Sequence, residues 1–198
     1  MPSALIPPPL LLASTSPRRR ELLAGLGLEF DGYAPPDREL AEDGDHDLEP
    51  EELAHHNVGT KLDSARAAYP GHAIIAADTV VILDGGCLGK PRDLDQARDY
   101  LSRLSGREHT VLTALGFALS GQDAAIKSVR TVVRFRSLSP DQINNYLEKV
   151  PVLDKAGAYA FQDQGSLVVE GISGSAHNVI GLPTEALVPL LQEAGYRL

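Results

Sequence analysis

Cysteine is nearly absent from this chain. Cys87 is the only one in 198 residues, so no intramolecular disulfide can form, and no Cys/His set has zinc spacing. Such usage fits a reducing, cytoplasmic setting, and Cys87, between Gly86 and Leu88, reads as an incidental turn residue. No apolar run approaches the length of a membrane span. The opening MPSALIPPPLLLAS lacks the basic leading region of a signal peptide and is interrupted by three prolines, so residues 1–9 read as a tail leading into a strand. An excess of positive charge is also missing: 18 Lys and Arg against 27 Asp and Glu leave a net charge of −9, which argues against binding a nucleic-acid polymer. What the chain does have is enough apolar character, 43%, for a real core. It also has one dense basic spot, Arg18-Arg19-Arg20. A local positive site in an acidic chain suits a small anion.

Strand and helix signals alternate, which places the chain in the α/β class with a central mixed sheet flanked by helices. Leu10–Ala13 reads as a buried strand. Ser16 then caps a helix with Pro17 at its first position, striped by Leu22, Leu23 and Leu26 and ended by Gly27. Leu28–Tyr33 reads as a second strand, residues 34–49 as an acidic loop, and Pro50 to Tyr69 as a helix. Ala73–Leu83 is strongly strand-like, and Asp93 caps a helix to Leu104. Thr110–Leu119 and Ile126–Phe135 follow as paired strands, the second presenting Arg130, Val132, Arg134 and Arg136 on an outer face. Ser139 caps a helix to Lys149, Leu167–Glu170 is a short strand, and Leu182–Ala194 closes the chain as a helix with Pro183 near its start.

Four segments carry chemistry. In Ser14-Thr15-Ser16-Pro17-Arg18-Arg19, hydroxyls and free N–H groups at a helix N-terminus offer an anion site, and arginine adds a fork matched to phosphate oxygens. Arginine in a first turn opposes the helix dipole, a local cost that makes sense if an anion sits there. The plain alternative is a capped helix with solvated arginines. In Ala77-Asp78-Thr79, a carboxylate inside an apolar strand is expensive unless paired or cation-bound, so Asp78 reads as a metal ligand, a general base or a structural hydrogen-bond acceptor. Gly89-Lys90-Pro91-Arg92 permits close backbone approach beside a point charge, though a turn explains it equally. Asp154-Lys155-Ala156-Gly157-Ala158-Tyr159, with Phe161-Gln162, combines small residues with an amide able to read a base edge. His177 reads as a satisfied buried histidine.

Taken in series with Leu104-Ser105-Gly106 and Gly181-Leu182-Pro183, these segments resemble the Maf family of nucleotide pyrophosphatases from about Leu11 to Gly195. The resemblance implies a single domain over 10–198, two lobes around a deep nucleotide-binding cleft, a divalent cation (Mg or Mn), and a homodimer. Asp78 matches the family's catalytic acid/base position. Arg18, Thr79 and Gln162 match positions tied to substrate choice, and Glu39, Lys61 and Lys90 match further active-site positions. The segment Asp154–Tyr159 looks like the branch acting on dTTP and UTP, not the one acting on 7-methyl-GTP. Two departures stand out: Asp163 where glycine is usual, and His56 where arginine is common.

The resulting expectation is hydrolysis of a nucleoside triphosphate to monophosphate and pyrophosphate, with no polymer or membrane partner. Ser14, Ser16, Arg18, Arg19, Lys61 and Lys90 hold the phosphates, Glu39 and Asp78 hold the metal, and Asp78 activates water. The rivals are a non-hydrolysing nucleotide-binding regulator of cell division, a monophosphatase or nucleotidyltransferase, and a triphosphatase of different base specificity.

Overall fold

The eleven residues Ala73–Leu83 do form one buried strand, and the sheet grows outward from it. The computed structural model describes residues 7–36, 39–41 and 47–198. The expected tail over residues 1–6, and the acidic loop at 37–38 and 42–46, lie outside the described residues. In chain order the elements are β1 (Leu10–Ala13), α1 (Pro17–Ala24), β2 (Asp31–Tyr33), α2 (Pro50–Ala68), β3 (Ala73–Leu83), β4 (Gly86–Leu88), α3 (Leu94–Leu104), β5 (Glu108–Ala118), β6 (Ala125–Phe135), α4 (Pro140–Lys149), β7 (Val169–Ser173), α5 (Ala176–Ile180) and α6 (Thr184–Glu193). The sheet is mixed, as expected, in the order β2-β1-β3-β5-β6-β7 with β4 also on β3. β1 runs parallel to β2 and β3, whereas β5, β6 and β7 continue antiparallel.

On its β5 side, β3 is paired from Ile74 to Ile82. On the other side, Ala73–Ile75 pair with β1 and Val81–Leu83 with β4. Among the described residues, Ala76 to Val80 have no strand partner there. The sheet therefore has a notch, and Asp78 and Thr79 sit in it.

Alternation along β3 decides where each side chain goes. Ile74, Ala76 and Val80 pack with Leu53, Ala54, Val58, Leu62 and Ala65 of α2. Ala73, Ile75 and Ala77 pack on the opposite side with Leu23 of α1 and Leu187 and Leu191 of α6. Burying each Ile or Val of this set contributes about 1.5–3 kcal/mol, which fixes the strand's register. A third cluster joins Val81, Val133 and Phe135 to α3 and α4. At Gly116 a Cβ would lie 2.4 Å from a Val58 methyl, so glycine lets α2 press against β5.

Several boundaries differ from expectation. β2 keeps only Asp31–Tyr33, because β1 offers just Leu11–Ala13 as partners. Cys87 lies in β4 opposite Ile82, not in a turn. Leu167 belongs to a 3-10 turn over Gly165–Leu167, and the strand starts at Val169. Pro183 caps α6 instead of lying inside it. The short helix α5 has no counterpart in the sequence reading. The basic outer face of β6 is exposed, and two of its arginines are matched locally, Arg130 to Glu51 and Arg134 to Glu108, both at 2.7 Å.

Candidate active site

A cavity of about 350 Å³ opens at the notch. Every residue singled out as a site candidate lines it: Ser14, Ser16, Arg18, Arg19, Glu39, Lys61, Asp78, Thr79, Lys90 and Gln162. Asp78 and Thr79, being neighbours in a strand, face opposite sides of the sheet. Both reach the cavity because the sheet is interrupted between them and β1.

On the α2 side lies a buried ionic cluster. Lys61 Nζ donates to Asp78 Oδ1 at 2.7 Å and to the Ala77 carbonyl at 3.1 Å, and pairs with Glu39 Oε2 at 2.9 Å. Three acceptors match the three ammonium protons, which is what an ammonium withdrawn from water requires. Asn57, one turn before Lys61 and fully buried, donates from Nδ2 to Asp78 Oδ2 at 3.2 Å. The sequence reading missed Asn57. Its only signal was an amide at helical spacing between Leu53 and Lys61, on a face that is apolar apart from Lys61.

On the α1 side the loop is already knit. Ser16 N–H donates to Ser14 Oγ at 3.1 Å, and Arg19 N–H to Ser16 Oγ, the helix cap, at 3.5 Å. Two of the N–H groups expected to face an anion are thus engaged within the loop. The three arginines part company. Arg18 reaches Asp154 at 3.1 Å. Arg19 is tied down by Nε to the Gly181 carbonyl (2.8 Å) and by Nη2 to Thr79 Oγ1 (3.0 Å). Burial pulls the Arg19 pKa down, against the opposing pull of Asp78 and Glu39. Arg20 lies over the Phe30 ring, 5.6 Å from its centroid, and does not line the cavity. Gly181, with φ +118°, adopts a backbone form that other residues resist, which puts its carbonyl against Arg19.

Lys155, in the segment quoted for its small residues, is a buried cation on the cavity wall, bonded to Asp154 at 2.6 Å. Burial pushes the Asp154 carboxyl up, but the bonds from Lys155 and Arg18 outweigh it and hold the group below its ordinary range. Lys90 stands exposed at the rim, as does Gln162. Val81, Val111, Tyr159, Phe161, Val179 and Ile180 supply apolar lining. Beneath Tyr159, His109 Nε2 meets its hydroxyl at 2.9 Å, and burial takes His109 down to about 4. His56 and Asp163 are exposed and do not line the cavity. His177 is not buried: its side chain is 48% exposed. Ser175 caps α5 by accepting from the N–H of Asn178, three residues on, whose side chain points inward and donates to Val111 O and Thr131 Oγ1.

A mixed-sheet α/β protein with a cavity lined by charged and hydroxyl groups at a break in its sheet is the class that this geometry defines. The chain belongs to the family described as Maf-like protein, whose model matches residues 9–194. It is similar to the dTTP/UTP pyrophosphatase of Akkermansia muciniphila, 42% identical over 190 residues, covering 96% of this chain and 98% of that one. The protein of the same name from Myxococcus xanthus is 44% identical over 193 residues, 96% and 94% of the two chains. That from Pyrococcus furiosus is 40% identical over 190 residues, 96% of each. Among solved structures, the Staphylococcus aureus Ham1 protein shares the fold, with a TM-score of 0.53 at 15% identity over 93% of this chain and 98% of that one. Among the described residues no helix is long and apolar enough to cross a membrane.

Proposed function

We propose that this chain hydrolyses nucleoside triphosphates, dTTP and UTP foremost, to the monophosphate and pyrophosphate. The observation that carries the reading is Asp78, a carboxylate in a sheet notch, facing a cavity that also gathers Arg18, Lys61, Lys90 and the Ser14–Ser16 hydroxyls. Cations at a triphosphate position it and neutralise charge as the leaving group departs. Asp78 accepts a proton from a water whose oxygen bonds the α-phosphorus. The α–β bridging P–O bond breaks, pyrophosphate leaves with the electron pair, and the proton passes from Asp78 to solvent.

The residues present fit a divalent cation. Glu39 and Asp78 converge on one point already holding positive charge, the Lys61 ammonium. Among the described residues no cluster of three or more His, Cys, Asp or Glu gathers. Two hard carboxylates completed by substrate phosphates are the usual provision for Mg or Mn. When bound, that ion supplies charge neutralisation at the phosphates.

Gln162 at the rim presents an amide that pairs with the O4 and N3–H edge of uracil or thymine, and the apolar lining is read as the wall for base and sugar. The two lobes are read as the packed clusters on either side of the cavity. The reading includes a homodimer, to be tested by sedimentation, and a cytoplasmic setting, supported by the single cysteine. The decisive experiment is a panel of UTP, dTTP, CTP, ATP and GTP with Mg or Mn, scored for products. UTP and dTTP are expected to give monophosphate and pyrophosphate fastest, and Gln162→Ala to change the ranking. Release of orthophosphate, or tight binding without turnover, would refute the reading; a purine preference would refute only the base assignment.

A further inference from the structure

We propose that Asn57 is the positioning residue that assembles the two-carboxylate cation site; this rests on the reading that Glu39 and Asp78 hold a divalent ion. An amide buried in a helix face shared with Lys61 and the apolar Leu53, Ala54, Val58, Leu62 and Ala65 is costly unless bonded. Asn57 is fully bonded. Its Oδ1 accepts from the Leu40 N–H at 2.8 Å, and its Nδ2 donates to the Leu40 carbonyl at 3.0 Å and to Asp78 Oδ2 at 3.2 Å. The pair of bonds to Leu40 is what a neighbouring strand would give, so the side chain acts as a one-residue strand partner. It clamps the backbone next to Glu39, whose carboxylate then reaches Lys61 at 2.9 Å.

The third bond sets the Asp78 carboxylate. With Oδ2 held by Asn57 and Oδ1 by Lys61, its plane is fixed from both ends. One amide therefore couples two carboxylates that lie 39 residues apart in sequence. Asn57 itself is not among the residues lining the cavity, so it acts through Asp78 and the Glu39 segment. Outer partners of this kind typically govern metal affinity by about 10- to 100-fold. Its hydrogen bonds go to Leu40 and Asp78, not to Arg18 or Lys90, which separates its effect from the anion grip.

The test compares wild type with Asn57→Leu, which suits the apolar face, and Asn57→Ala. Mn²⁺ binding is read by electron paramagnetic resonance with α,β-imido-UTP present, and kcat and KM for UTP are measured at limiting and saturating Mn²⁺. Mn²⁺ affinity is expected to fall about 10- to 100-fold in both variants, with KM for UTP at saturating Mn²⁺ unchanged. Wild-type Mn²⁺ affinity in the variants would overturn the proposal. So would a loss appearing only in the KM for UTP. Loss of far-UV circular dichroism in both variants also counts against it, because Asn57 would then be serving the fold at large. A wild type that binds Mn²⁺ and the analogue but releases no pyrophosphate would sink the catalytic reading and leave the Asn57 measurement standing.

Discussion

Replacing Lys61 by methionine keeps most of the side chain's volume and removes its charge. The ammonium has three acceptors, Asp78, Glu39 and the Ala77 carbonyl, and only 5% of the side chain is exposed. Without it, Asp78, 9% exposed, keeps Asn57 as its remaining partner, whereas Glu39, 33% exposed, can turn towards water. Breaking a buried pair by removing one partner costs about 3–5 kcal/mol, and the solvent access of Glu39 puts this case near 3. For a chain of this size 1 kcal/mol moves Tm by about 2–4 °C, so Lys61→Met should melt about 6–12 °C below wild type at neutral pH. Far-UV circular dichroism with and without MnCl2 carries a second, sharper expectation. A cation at a hundredfold excess over its Kd restores about 2.7 kcal/mol. The variant, with two carboxylates and no ammonium between them, should gain that in MnCl2, and wild type should gain less. A variant melting within about 2 °C of wild type, or one that Mn²⁺ stabilises no more than wild type, would refute the argument that this ammonium holds the two carboxylates together.

Asp78→Asn is expected to lower kcat by about 10²-fold or more, as for loss of a general base; near-normal pyrophosphate release would remove Asp78 from the mechanism. Arg18→Ala should raise KM for UTP about 10- to 100-fold, from a charge-assisted contact of roughly 1.5–3 kcal/mol, and lower kcat, while leaving Tm unchanged because its ion pair with Asp154 is solvent-accessible. Arg19→Ala should instead lower Tm, since its bonds to Gly181 and Thr79 tie α1 to the sheet; equal melting of the two variants would contradict that division. His109 binds its proton at about 4 in the folded chain and at 6.5 unfolded. The unfolded state therefore takes up the proton first as pH falls, and the stability present above pH 6.5 is lost progressively towards 4, about 3 kcal/mol in all. His109→Gln keeps a partner for Tyr159 and should flatten that acid limb in urea titrations; an unchanged limb would place the acid sensitivity elsewhere.

Elements with strong terminal signals were legible from residues alone. β3 runs from Ala73 to Leu83 as read, and α4 follows the Ser139 cap to Lys149, with Gln142 completing a capping box in the structure. Short elements were not legible. α5 has five residues and β4 three, too few to show a period, and both exist because the sheet and Ser175 hold them. Leu167 looked like the first residue of a strand, but Gln164 at φ 58° turns the chain and delays pairing to Val169. In the site, Asp78 announced itself because a charge in an apolar strand has few inexpensive explanations. Asn57 did not, because a helical asparagine has many, and its partner Leu40 is distant in sequence. The arginine run suggested one shared task, whereas backbone geometry assigns Arg18, Arg19 and Arg20 to three different surroundings.

The notch in the sheet makes the location of the site a matter of strand length. β1 stops at Ala13 after four residues while β3 continues to Leu83, and β4 resumes pairing only at Val81. Each residue added to β1 would carry its backbone about 3.3 Å further along β3, so two more would fill the space now open beside Asp78. Two residues inserted between Ala13 and Ser14 should therefore close the cavity while Leu10–Ala13 keep their places in the core, whereas the β5–β6 turn at Gly121 can lengthen with less effect. In engineering terms, the cavity's size is tuned by where one strand ends, and redesign for a larger nucleotide would begin by moving that end.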